Sequence, residues 1–175
     1  MVLNLFRKNP ATEAVYAVYR AIVAQSRQPV FYAEWGVPDT VTGRFDMISL
    51  HMGLVFQRLK GEGGKTAEFG QALFDLFFKD MDRSLREMGA GDLAVPKKVR
   101  KMTELFYALM TGINEAIERG DQPGVEAVLR RNVFAEGDAS HAGALAAYLM
   151  TQHTALLAQP VATITGGHLD MAVAA

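Results

Sequence analysis

Val15, Val18, Tyr19 and Ile22 recur at intervals of three and four, the repeat that lines one face of a helix. Asn9-Pro10 precedes them, a capping side chain followed by proline in the first helical position, and the pattern predicts a helix over 10–28. Val41, Phe45, Ile48, Met52, Val55 and Leu59 form the seam of a second helix over 41–60. Met47, Leu50 and Leu54 are apolar on its other sides, which predicts a central position for it. Further helices are predicted over 66–88, 96–119, 122–134 and 140–158, with Gly89 and Gly120 placed to end two of them. Residues 29–40, "PVFYAEWGVPDT", read as an aromatic loop whose Phe31, Tyr32 and Trp35 lie as a lid on the core. The tail beyond Pro160 has no periodicity and is expected to fray or to dock on a partner. No alternating strand pattern competes. The expected fold is therefore all-α, a single-domain irregular helical bundle of about six helices, with an N-terminal helix (1–28), a main helical domain (29–158) and a tail (159–175).

Composition narrows the function classes. The chain has 175 residues, 18 basic and 19 acidic, so no global charge points to nucleic acid, and DNA is not an expected partner. The absence of cysteine excludes disulfides, thiolate metal sites and cysteine nucleophiles. No apolar run reaches the roughly 18 residues of a spanning helix. The start, "MVLNLFRKNP", has too short an apolar segment for a signal peptide. The lack of cysteine is compatible with a reducing cytoplasm, the expected location, and any membrane contact is expected from the side.

Two polar stripes stand out. Arg44, His51 and Arg58 are spaced by seven on the second helix, and Glu68, Asp75 and Asp82 by seven on the third. Folding the chain about residue 63 sets Arg58 opposite Glu68, His51 opposite Asp75 and Arg44 opposite Asp82. This predicts a ladder of inter-helix ion pairs, or else a polar strip lining a groove. His51 oriented by Asp75 is the best-placed acid–base pair, but no serine or threonine is evident as its nucleophile. Asp138 and His141 offer two metal ligands where a site needs more. "GEGGKT" follows no strand and reads as a turn rather than a phosphate loop. No catalytic residue, metal or cofactor is assigned. Most of the methionines, Met47, Met52, Met81, Met88, Met102 and Met110, fall at core spacing and suggest adaptable packing.

The stretch "REMGAGDLAVPKKVRKM", 86–102, ends one helix, turns through glycines and opens another at Pro96. Lys97, Lys98, Arg100 and Lys101 fall on or beside the face opposite its apolar stripe, and Arg83 and Arg86 precede the turn. Cations at a helix N-terminus oppose the macrodipole by a few tenths of a kcal/mol each. Their concentration here reads either as an ordinary solvated helix face or as a surface for an anionic partner such as lipid headgroups or RNA.

"GVPDTVTGRF" (36–45), "LHMGLVFQRL" (50–59) and "FFKDMDRSLREMGAGDLAVPKKVRKM" (77–102) resemble the ubiquinol–cytochrome c chaperone family, over roughly residues 29–120. The resemblance implies a non-enzymatic assembly factor of the cytochrome bc complex, of bacterial type. Such a protein binds newly made cytochrome b or an early assembly intermediate, near the ribosome and against the anionic inner membrane. On this reading the client- or membrane-binding surface comprises Trp35, Arg44, His51, Arg58, Arg83, Arg86, Lys97, Lys98, Arg100 and Lys101. The alternative is a helical carrier binding a quinone, lipid or haem-like ligand between its helices.

Overall fold

In the computed structural model, which describes residues 9–135, 137–172 and 174, eight α-helices are present among the described residues and no strand is. They are α1 (Pro10–Ser26), α2 (Pro29–Ala33), α3 (Val41–Leu59), α4 (Gly64–Glu87), α5 (Val95–Glu118), α6 (Gln122–Asn132), α7 (Ala142–Leu157) and α8 (Val161–Thr165). Six follow the periodicity to within about two residues at each end. The two short ones, α2 and α8, were not legible as helices. Each is five residues long and too brief to show a repeat.

Local chemistry sets the ends. Asn9 caps α1 by accepting the Ala11 amide at 3.1 Å, Thr40 caps α3 through the Gly43 amide, and Asp121 caps α6 through that of Gly124. α4 closes with Gly89 at φ +83, the Gly89 amide on the Arg86 carbonyl and the Ala90 amide on that of Leu85. This is the paired hydrogen-bond pattern that a left-handed glycine permits. The same pattern ends α5 at Gly120.

α3 occupies the centre, packed on α1, α5 and α7, while α4 leans on α1 and α5, and α6 fills the angle between α5 and α7. Phe45, Met47, Ile48, Leu50, Met52, Leu54, Val55 and Leu59 of α3 are all buried; Val41, expected in its seam, stands 52% exposed at the helix start. Burial on every side of a helix requires neighbours on every side, which is why its apolar residues do not keep to one face. α5 comes close to α3 at Gly53, where a Cβ would fall 1.9 Å from the Met110 sulfur. Met47, Met52, Met81 and Met110 are core residues, whereas Met88 is 54% exposed.

The C-terminal segment docks rather than frays. α8 packs against α1 and buries Ile164. Beyond it, Gln152 of α7 accepts from the Ala172 amide and donates to the Ala172 carbonyl, which also accepts from Gln25 of α1.

Candidate functional site

The ion-pair ladder does not form. Arg44 pairs with Asp39 at 2.6 Å, and Arg58 pairs with Glu62 at 3.3 Å while donating through Nε to the Gln159 carbonyl. Asp82 is held by Arg86 at 2.7 Å, and Asp75 accepts from Gln71 at 2.8 Å. Glu68 and Asp75 lie on the exposed side of α4, because its apolar stripe of Phe69, Leu73 and Phe77 turns the opposite side inward. Arg44, Arg58 and Asp82 pair with charges close to them in the chain, Asp75 takes an amide one turn away, and α4 faces α1 and α5 more than α3.

His51 is fully buried and belongs to the core, which removes it from any client surface and from a partnership with Asp75. Its Nδ1 lies 2.7 Å from the Met47 carbonyl, which can only accept, so Nδ1 carries the proton. Nε2 then accepts from the Tyr148 hydroxyl at 2.8 Å, and that oxygen in turn accepts from Gln25 Nε2 at 2.7 Å. Burial pushes the imidazole down to about 4 against the weaker opposing pull of the Met47 carbonyl, so it is neutral near pH 7. Phe31 and Trp35 pack on this pair, with ring centroids 5.1 and 5.9 Å from that of Tyr148. Trp35, 8% exposed, is thus part of the lid expected over the core rather than of the contact surface. Tyr148, Gln25 and Gln152 escaped the sequence reading; polar side chains on otherwise apolar helical stripes were the signal for them.

A second buried group lies one turn earlier on α3. Asp46 is 8% exposed, and burial raises its carboxyl to about 7. Ser49 on the same face has a fully buried Oγ without a hydrogen-bond partner among the described residues. In the turn ahead of α7, Asp138 accepts from the amide and hydroxyl of Ser140, whose oxygen contacts His141 Nδ1. These contacts make the Asp138–His141 pair part of a turn ahead of α7. Among the described residues no three acidic or histidine side chains are grouped to hold a metal.

The remaining predicted residues gather about the α4–α5 turn. Arg86 is anchored there by Asp82 and by Asp92 at 2.5 Å, and Arg83 pairs with Asp80 and with Glu87. Arg100 and Lys101 approach Glu104 at 3.8 and 3.7 Å. Lys97 and Lys98 are exposed and make no ion pair among the described residues. Beside them Leu93 is 90% exposed, and Val41 and Leu105 are 52% and 43% exposed. Val41, Phe45, Leu85, Met102 and Leu105 line a shallow cleft of about 220 Å³ with Lys98 and Lys101 at it. Such a surface combines apolar contact area with unpaired positive charge.

Comparison with known proteins agrees with these motifs. A family model described as ubiquinol-cytochrome C chaperone matches residues 33–171. Ubiquinol-cytochrome-c reductase complex assembly factor 1 of Xenopus laevis is 27% identical over 121 residues, 69% of this chain and 60% of that one. The human protein of the same name is also 27% identical over 121 residues, 69% of this chain and 40% of its own. The Drosophila melanogaster one is 24% identical over 140 residues, covering 74% of this chain and 54% of that one. The chain thus spans between 40% and 60% of the length of these curated relatives. The crystal structure of the Cbp3 homolog from Brucella abortus superimposes with a TM-score of 0.86 at 39% identity, over 98% of this chain and 97% of that one. With a family match across most of the helical core and near-complete agreement with a solved homologue's fold, this chain belongs to the ubiquinol-cytochrome c chaperone family.

Proposed function

We propose that this protein is a non-enzymatic chaperone for assembly of the cytochrome bc complex, and that its client is newly made cytochrome b or an early intermediate containing it. The relatives named as assembly factors of ubiquinol-cytochrome c reductase support the class of function. The observation that carries the site is the exposed apolar and basic face at the α4–α5 turn. There Leu93, Met88, Val41 and Leu105 lie exposed near Lys97 and Lys98. A client made of apolar helices is recognised by apolar area that water does not hold tightly. The basic residues complement acidic client loops or the anionic leaflet beside which the client inserts. The turn itself supplies rigidity: the Gly89 closure and the Arg86 pairs to Asp82 and Asp92 present the lysines at the start of α5.

No helix among the described residues is long and apolar enough to cross a membrane. On this reading the protein works by surface contact at the cytoplasmic face of the inner membrane, with the ribosome as a further neighbour while the client emerges. A photoactivatable residue at position 93 or 105 tests the assignment in cells. Capture of cytochrome b is the expected result. Capture of none, while the same residue placed on α6 captures it, assigns the client to another face.

A further inference from the structure

Where α1 crosses α4, the outer surface carries a second concentration of positive charge, of which the assembly reading takes up only Arg83. A cleft of about 530 Å³ opens there, and Arg20 of α1, Arg27 at its C-cap, and Lys79 and Arg83 of α4 line it together with one acid, Asp80. Asp80 is already engaged, accepting from the Tyr19 hydroxyl at 2.9 Å and pairing with Arg83. Arg20, Arg27 and Lys79 are exposed and form no ion pair among the described residues. Four cations facing one satisfied carboxylate stand out on a chain whose formal net charge is -1.

The geometry is confined. Arg20 and Arg27 lie two turns apart, about 10 Å along α1, and Lys79 and Arg83 about 6 Å apart along α4. All four cations line the one cleft, and Arg27 and Arg83 both act electrostatically on the Tyr19 hydroxyl in it. Burial and Asp80 hold that hydroxyl well above its ordinary range, which keeps it a donor. The floor is apolar: Val23 and Leu76 are half-buried, and Tyr16 is 43% exposed at the edge.

We propose that this cleft binds the phosphate headgroup of an anionic phospholipid, with Arg20, Arg27 and Lys79 on the phosphate oxygens. The apolar floor then meets the glycerol and first acyl carbons. A free phosphate ion gains nothing from Val23 and Leu76. Single-stranded RNA favours a longer cationic track with stacked aromatic rings, and Tyr16 is the one exposed ring in this lining. Arginine suits the role because its planar fork matches phosphate oxygens in pairs. The inference goes beyond the assembly reading and stands or falls separately from it.

The test is co-sedimentation of the full chain with phosphatidylcholine vesicles, prepared with and without phosphatidylglycerol. Inorganic phosphate and a short single-stranded RNA serve as competitors. Binding is expected only with phosphatidylglycerol, and Arg20→Gln or Arg27→Gln is expected to weaken it by about fivefold each. Arg20→Lys should retain most of it, and the circular dichroism spectrum of each variant should match wild type, since these side chains are exposed. Equal binding to both vesicle types overturns the proposal. So does unchanged binding by the double variant Arg20→Gln/Arg27→Gln, or its loss in Lys97→Glu/Lys98→Glu instead. Displacement by millimolar inorganic phosphate would name free phosphate as the ligand, and displacement by RNA would name nucleic acid; either result also overturns it.

Discussion

His51 and Asp46 are buried in the same helix, and their protonation acts on stability in opposite directions. Burial lowers His51 from 6.5 to about 4 and raises Asp46 from 3.8 to about 7. Within its window the unfolded chain protonates histidine while the folded chain does not. The His51 contribution is therefore full above pH 6.5 and is lost as pH falls toward about 4. For Asp46 the folded chain keeps a proton that the unfolded chain has released, so its contribution is full below pH 3.8 and is lost as pH rises to about 7. At about 1.36 kcal/mol per pH unit the two contributions reach about 3 and about 4 kcal/mol over their windows. Across their shared range they oppose one another, so the wild-type chain conceals both slopes. Asp46→Asn exposes the histidine slope: near pH 4 it should match wild type, and by pH 7 it should be more stable by up to about 4 kcal/mol. His51→Gln should be most destabilising above pH 6.5, its deficit shrinking by about 3 kcal/mol as pH falls to about 4. Urea unfolding followed by fluorescence of the single tryptophan, Trp35, measures this at each pH, and subtraction of wild type cancels the surface carboxylates. Parallel pH profiles for Asp46→Asn and wild type would refute the reasoning.

Other substitutions probe single features. Gly43→Ala places a Cβ 2.0 Å from the Pro38 carbonyl oxygen, an immovable backbone atom, and should destabilise by about 1–3 kcal/mol in urea unfolding. Tyr148→Phe leaves His51 Nε2 and a Gln25 amide hydrogen without their partner in the core, a loss of about 1–3 kcal/mol by the same measurement. Charge reversal at Lys97 and Lys98 removes exposed cations, unpaired among the described residues, from a helix N-terminus, so it should leave the urea midpoint the same or slightly higher, yet lower the yield of assembled bc complex. An unchanged yield removes those lysines from the client surface.

The helices were legible because their causes are local. Caps at Asn9, Thr40 and Asp121, left-handed glycines at 89 and 120 and the three-four repeat all act within a few residues. Family motifs gain a physical meaning from the same structure: Gly43 is needed against Pro38, and Gly53 where Met110 crosses α3. The spacing of seven does not make one polar stripe of Arg44, His51 and Arg58, since His51 is fully buried and Arg44 exposed, and the expected partners across the helix pair are absent. A charge on a helix finds an acid a turn away at smaller entropic cost than one across a helix pair, as Arg58 with Glu62 and Arg86 with Asp82 show. His51 was harder still, since its Tyr148 partner lies 97 residues away in the chain and no spacing rule reaches that far. The tail eluded the pattern because α8 is short and its anchoring runs through backbone atoms of Ala172, held by glutamines on α1 and α7.

The claim at the centre of the account is that this chain is needed to assemble the cytochrome bc complex. The most direct measurement is the amount of assembled complex in membranes of cells lacking the gene, read by native gel and haem b difference spectra. Matched cells carrying the gene on a plasmid provide the reference. The account predicts loss of assembled complex in the deletion, restoration by the wild-type chain, and unchanged levels of the other respiratory complexes; normal bc complex in the deletion would contradict it.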